Sequence, residues 1–213
     1  MKRSLTAAFL LTLLFCLAVG AQEPVEPTVD KAPASYGLVI DNSGSLRTML
    51  DKVIGVVTDI VDGNVTDDEA FLVTFVDTPK IVLRQEFTDS KSELHDAVQN
   101  MFIEGGQTAI LDAVKISADY LAKNARTDAG RARAPVLVTD GDDRESGSKI
   151  DDVIKLLKEQ NIRVFVVAIS DGKVFTKLID RLTKETGGAK FSPKTRADLT
   201  AAATQLSAAI RTR

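Results

Sequence analysis

The stretch Tyr36 to Ser45 reads Y-G-L-V-I-D-N-S-G-S. A short apolar run, Leu38-Val39-Ile40, ends on Asp41, and two hydroxyls follow at Ser43 and Ser45. From Leu46 to Val61 the apolar residues recur at helical spacing. A buried strand that gives way to polar residues and then to a helix is the opening unit of an α/β sheet. Such sheets bind ligands beyond the carboxyl ends of their strands, where the strand order reverses. Asp41, Ser43 and Ser45 would occupy that position. A carboxylate and two hydroxyls are hard oxygen donors, matched to Mg2+, Mn2+ or Ca2+ and not to zinc. Read alone, the stretch equally suits a helix cap, with Asp41 and Ser43 serving the backbone N–H groups that follow.

Two further stretches carry similar chemistry. Glu104 to Ala113 reads E-G-G-Q-T-A-I-L-D-A, in which Gly105 and Gly106 allow unusual backbone angles ahead of Thr108. Thr108 opens a helix with the apolar face Ile110, Leu111, Val114, Ala118 and Leu121, so it reads either as an N-cap or as a single hydroxyl ligand. Pro135 to Asp143 reads P-V-L-V-T-D-G-D-D, again a buried strand running into an aspartate, Asp140, followed by glycine. The acids after it do not make an EF-hand loop, which needs alternating Asx residues and a later Glu. Asp142 and Asp143 read more simply as a helix-start or solvated pair.

The remaining chain supplies more strands and helices. Ala70 to Val76 is a strand, and Pro79 suits the turn after it. Lys80 to Phe87 alternates, and so short a connection allows only an antiparallel partner at the sheet edge. Ser90 to Phe102 is a modest amphipathic helix carrying His95, the single histidine. No nucleophile motif accompanies His95, so a surface or half-buried role fits it better than a catalytic one. Arg126 to Arg133, R-T-D-A-G-R-A-R, is a small basic connection. Helices over Ile150–Leu157, Phe175–Leu182 and Leu199–Ile210 alternate with strands over Arg163–Ile169 and just before Phe191. The predicted fold is α/β: a doubly wound, Rossmann-like, mostly parallel six-stranded sheet with one antiparallel edge strand and helices on both faces.

Ahead of this domain, residues 1–21 read as a signal peptide. Lys2 and Arg3 are basic, Ala7 to Val19 is almost wholly apolar, and Val19-Gly20-Ala21 offers small residues for cleavage. The apolar run is short for a membrane-spanning anchor. Residues 22–35 hold three of the six prolines and read as an extended linker. Residues 36–213 then form one domain, ample for a single core. Cleavage removes the only cysteine, Cys16, and leaves 25 basic against 30 acidic residues, a formal charge of −5. That balance argues against a nucleic-acid partner, which would require a basic face. The signal segment and the loss of Cys16 imply a secreted or periplasmic protein without disulfides, not inserted in a membrane after cleavage.

Asp41-Asn42-Ser43-Gly44-Ser45, Gly105-Gly106-Gln107-Thr108 and Val138-Thr139-Asp140-Gly141 together resemble the von Willebrand factor type A domain with its metal-ion-dependent adhesion site. Gly187-Gly188 before the last strand resembles the ending of secreted bacterial members. The resemblance spans about Tyr36 to Arg213. It implies strand order 3-2-1-4-5-6 and metal binding by Asp41, Ser43, Ser45, Thr108 and Asp140. It further implies that Ser43, Ser45 and Thr108 contact the ion directly, and that Asp41 and Asp140 act through water. A cation ringed by neutral hydroxyls is left short of negative charge, so a Glu or Asp carboxylate of a partner protein would complete it. The expected function is metal-dependent protein-protein interaction or cell adhesion, with Mg2+ as the ion and Mn2+ or Ca2+ as alternatives. The competing expectation is a scaffold or assembly domain in which the metal only braces loops. An enzyme is not expected, because no P-loop or cationic clamp accompanies the candidate ligands.

Overall fold

The computed structural model describes residues 32–212. The expected signal peptide, 1–21, and the expected linker up to residue 31 lie outside the described residues.

Six strands form one sheet in the order β3-β2-β1-β4-β5-β6. They are β1 (Ala34–Asp41), β2 (Glu69–Phe75), β3 (Val82–Thr88), β4 (Ala132–Thr139), β5 (Phe165–Ala168) and β6 (Lys190–Phe191). All neighbours pair in parallel except β2 and β3, which are antiparallel. The helices are α1 (Leu50–Asp62), α2 (Lys91–Gln99), α3 (Ile110–Asn124), α4 (Ile150–Glu159), α5 (Thr176–Thr186) and α6 (Arg196–Arg211). The expected order and fold class are therefore observed.

β1 sits at the centre and is buried along its whole length. Its side chains alternate between the two layers, as the pleat requires. Tyr36, Leu38 and Ile40 face the layer built with α1, α2 and α6, while Val39 faces the layer of α3, α4 and α5. The opposite side of Gly37 is filled by the Phe71 ring, which would lie 2.2 Å from any Cβ at that position. Burial on both faces explains why the central strands read as unbroken apolar runs. The edge strand β3 is half-exposed with an irregular register against β2, which suits an unpaired edge.

Several boundaries differ from the sequence reading by a few residues, and three of these differences have a physical reason. β1 begins at Ala34, inside the expected linker, because Ser35 already pairs with Glu69 and Ala34 with Ala132. The expected helix from Leu46 opens as a 3-10 turn over Gly44–Met49 before α1. This tight turn lets the chain leave the strand end and swing onto the sheet face. α6 begins at Arg196, where Thr195 and Asp198 form a reciprocal capping box.

Because β1 and β4 are hydrogen-bonded neighbours that run the same way, their carboxyl ends present Asp41 and Asp140 side by side. The strand order reverses here, since β1 leads outward to β2 on one side and β4 to β5 on the other.

Candidate functional site

Asp41, the last residue of β1, is 1% exposed. One of its oxygens accepts the Ser43 backbone N–H at 2.9 Å, and the other accepts the Thr139 hydroxyl at 2.7 Å. Thr139 in turn accepts the Gly141 N–H at 3.0 Å. Burial pushes the Asp41 carboxyl up to about 6, against the hydrogen bonds from Ser43 and Thr139, and the charge of nearby Asp140 adds to the rise. Ser43 is buried and Ser45 exposed, with their hydroxyl oxygens 3.0 Å apart.

Asp140 is buried at the end of β4 and accepts the Asp142 N–H at 3.1 Å. The turn needs Gly141, whose φ is +86° and whose missing Cβ leaves room for the Phe175 carbonyl. Phe175 donates its N–H to the Asp140 carbonyl at 2.8 Å.

Thr108 lies in the second loop, after Gly105 and Gly106 at φ +84° and +108°. It is buried, and its hydroxyl donates to the Asp142 carbonyl. It does not cap α3. The N-cap position is Ala109, and the cap comes from another loop: Asp143 accepts the Ile110 N–H at 2.7 Å, while Ser146 accepts that of Leu111 at 2.9 Å. The helix-cap alternative for Ser43 also weakens, since its hydroxyl makes no cap bond to the 3-10 turn that follows. Both hydroxyls keep lone pairs on oxygens that no helix start consumes.

The loops are tied to one another without any added group. Asn42 accepts the N–H groups of Glu104 and Gly105, at 3.0 and 3.4 Å, joining the first loop to the second. Thr108 accepts those of Arg144 and Glu145, at 2.9 and 3.0 Å, joining the second to the third. Asp112 braces the same end: it accepts from Gly147 N–H at 2.9 Å and Ser148 N–H at 2.8 Å. Burial works against its ionised form, but hydrogen bonds from Ser148, Thr78 and Gly147 outweigh it and bring the carboxyl down to about 2.

Thr139, Asp112 and Ser146 are site-building residues to which the sequence reading gave no role. Asp143 was expected to be a helix-start or solvated residue; it does serve a helix start, but that of α3, more than thirty positions earlier. Only the Thr139 hydroxyl, one residue before Asp140, had a local signal. His95 is half-buried and lies 3.0 Å from Asp62, away from these loops.

The electrostatic feature of the site is two buried carboxylates without a cation. Among the described residues, no Lys, Arg or His nitrogen lies within 4.0 Å of the Asp41 or Asp140 carboxylate, and the nearby Arg144 is paired with Asp142. Buried charge of one sign is costly unless something compensates it. The described residues hold no group of three or more His, Cys, Asp or Glu side chains fit for a metal, so an ion here would rest on two carboxylates and three hydroxyls. That all-oxygen set fits a hard divalent cation.

Comparison with known proteins agrees with this geometry at the level of fold. The family model described as von Willebrand factor type A domain matches residues 37–205. Among solved structures, a von Willebrand factor type A protein from Catenulispora acidiphila aligns with TM-score 0.71 at 16% identity, covering 84% of this chain and 43% of that one. An aerotolerance-related membrane protein from Bacteroides fragilis, crystallised with multiple mutations to serines, aligns with TM-score 0.68 at 18% identity, covering 83% and 98%. Proximal thread matrix protein 1 from the mussel byssus aligns with TM-score 0.69 at 16% identity, covering 83% and 47%. A search of curated proteins returns no significant match.

Proposed function

This chain belongs to the von Willebrand factor type A domain family, whose members are generally interaction modules, and from that premise we propose that it is an exported, metal-dependent protein-binding module. The observation that carries the reading is the pair of buried carboxylates, Asp41 and Asp140, set among hydroxyls and lacking a cationic side chain within 4.0 Å among the described residues. Ser43, Ser45 and Thr108 would hold a divalent cation, Mg2+ or in its place Mn2+ or Ca2+, directly, and Asp41 and Asp140 would hold it through water. When bound, the cation supplies an electron-poor position that accepts one more anionic oxygen. The partner is accordingly a protein that offers a Glu or Asp carboxylate.

The chain's own residues prepare this position. Thr139 and the Ser43 N–H fix the two Asp41 oxygens, so the carboxylate does not swing when charge arrives. The Thr108 proton is engaged by the Asp142 carbonyl, which leaves its lone pairs as the remaining function. Two exposed aromatic rings flank the loops. Phe102 precedes the second loop and carries Arg84 over its ring at 5.1 Å; Phe175 abuts the third and carries Lys173 at 4.9 Å. Aromatic and cationic side chains of this kind give a partner apolar area and charge complementary to an acidic segment.

A scaffold role, with the metal only bracing loops, finds less support, because backbone and side-chain hydrogen bonds already join the three loops. Among the described residues no helix is long and apolar enough to cross a membrane. Export rests on residues 1–21 and is tested by mass spectrometry of the native protein, which should find Gln22 or a near neighbour at the amino terminus. The binding function is tested by calorimetry with Mg2+ and Mn2+, together with capture of envelope or secreted partners with and without chelator. Asp41→Ala and Thr108→Ala should abolish metal-dependent capture; Asp41→Ala is expected to weaken metal binding by about 10–100-fold. Failure of the parent protein to bind either ion at millimolar levels refutes the reading.

A further inference from the structure

The basic connection between α3 and β4, unused by the ligand loops, forms one wall of a second concave site at the amino end of the sheet. This cleft has a volume of about 600 Å3 and is lined by Arg131, Arg133, Arg163, Arg211, Asp128 and Gln160, among others. Every cation in its lining is an arginine, the side chain whose planar fork matches an oxyanion with paired hydrogen bonds.

Two of the four guanidiniums are already neutralised. Arg131, its side chain 1% exposed, pairs with Asp128 and also donates to the Asp67 carbonyl at 2.7 Å. Arg211 pairs with buried Asp68. Arg133 and Arg163 have no carboxylate within 4.0 Å among the described residues; each donates to a backbone carbonyl only, Arg133 to Arg126 at 3.4 Å and Arg163 to Ile210 at 2.5 Å. The two lie on adjacent chain segments, with the Arg163 N–H donating to the Arg133 carbonyl at 3.4 Å. The lining arginines also include a donor without a partner among the described residues, the Nε of Arg211, whose side chain is 7% exposed.

We propose that this cleft binds a dianionic oxyanion of the phosphate-monoester class between Arg133 and Arg163. The charge count sets the class. Once the Arg131 and Arg211 pairs are cancelled, two positive charges remain, and a phosphate monoester carries about −1.5 to −2 near neutral pH. The end of α4 at Gln160 brings an opposing dipole equivalent to roughly half a charge, too little to outweigh two guanidiniums. Burial holds the Arg163 guanidinium below its usual value, a penalty that a bound anion would relieve. Free phosphoesters and phosphorylated lipid headgroups share this chemistry.

The test uses inorganic phosphate as the probe, in chelator, so that metal at the opposite end plays no part. Calorimetry should show binding by the parent protein and by Asp41→Ala alike, with Arg133→Gln and Arg163→Gln each weakening it roughly tenfold or more. Sedimentation with vesicles separates the sources: phosphate-competed binding to phosphatidic acid but not phosphatidylcholine places the ligand on a lipid, and phosphate binding without vesicle binding places it on a soluble phosphoester. Both outcomes support the site. A measurement on the unsubstituted protein guards against variants that fail to fold. Phosphate should slow phenylglyoxal modification of Arg133 and Arg163, but not of exposed Arg196. The proposal is overturned if no heat is seen up to about 10 mM phosphate, if the glutamine variants bind as the parent does, or if phosphate leaves both arginines equally reactive.

Discussion

The two ends of the central sheet each bury a pair of acids, and they satisfy them differently. At the amino end, Asp68 accepts the N–H groups of Ala34 and Val65, both at 2.8 Å, and pairs with Arg211. Its neighbour Glu69 accepts the Ser35 hydroxyl at 2.6 Å and lies 3.3 Å from the Arg126 guanidinium. At the carboxyl end, Asp41 and Asp140 are buried just as deeply but accept hydrogen bonds from the Thr139 hydroxyl and from backbone N–H groups, with no cationic side chain within 4.0 Å among the described residues. The difference teaches that depth alone does not mark a site. Both ends have desolvated carboxylates, but only at the amino end does each have a cationic side chain within 4.0 Å among the described residues.

The largest effect is expected from opening the closed end. Arg211→Met would leave the Asp68 carboxylate buried without its cation. Breaking a buried pair by removing one partner costs about 3–5 kcal/mol, and urea denaturation of the variant should show a loss of that order. A loss below about 1 kcal/mol would mean that Asp68 needs no cation, and the contrast between the two ends would collapse.

Closing the open end should give the next largest effect. A cation that binds only the folded state, supplied at about 100 times its dissociation constant, adds about 2.7 kcal/mol of stability. Mg2+ should therefore shift the urea midpoint upward, and chelator should reverse the shift. Asp41→Asn keeps an acceptor for the Ser43 N–H but removes the charge, so the shift should largely vanish. In chelator at neutral pH that variant should be no less stable than the parent, because it also removes a carboxyl whose ionisation burial resists.

Asp112 sharpens the comparison from a third direction. It lies at the carboxyl end, yet hydrogen bonds satisfy it in place of a cation. Its folded value, about 2, is depressed below the ordinary 3.8. Its contribution is therefore present above the unfolded value and is lost as pH falls from about 4 through about 2. The difference corresponds to about 2 kcal/mol. Asp112→Asn should flatten the acid limb of stability against pH over that window, as followed by circular dichroism. An unchanged acid limb would show that these hydrogen bonds do not discriminate the charged form.

These contrasts also explain what was legible in the sequence. The strands could be read because each is an apolar run, and Asp41, Thr108 and Asp140 could be placed in loops because each follows an apolar run or a glycine turn; the strand order came from the family resemblance. Buried Asp68, Glu69 and Arg211, and Arg126 at the surface, could not be read as partners, because charges at element ends have no period and their pairing depends on how distant segments dock. Asp143 illustrates the same limit. Its carboxylate caps α3 across 33 positions of chain, and no spacing rule reaches that far. The 3-10 turn at Gly44–Met49 was hidden because its apolar residues, Leu46 and Met49, are equally consistent with an α-helix.

The smallest expected effect belongs to Asp142, and it decides whether proximity or chemistry defines the open end. Asp142 is adjacent to the candidate ligands in sequence and touches Thr108, but through its backbone: the carbonyl accepts the Thr108 hydroxyl, and the N–H donates to Asp140 at 3.1 Å. Its side chain turns outward to Arg144, which is more than half exposed. Exposed pairs of this kind contribute little once water screens them. Asp142→Ala preserves both backbone contacts and removes only that outward pair. Calorimetry with Mg2+ should give an affinity indistinguishable from the parent's, and the melting temperature should not move. If Asp142→Ala instead weakens Mg2+ binding as much as Asp41→Ala does, the acidic loop attracts the ion as a diffuse field, and the assignment of Asp41 and Asp140 as the specific acids of the site fails.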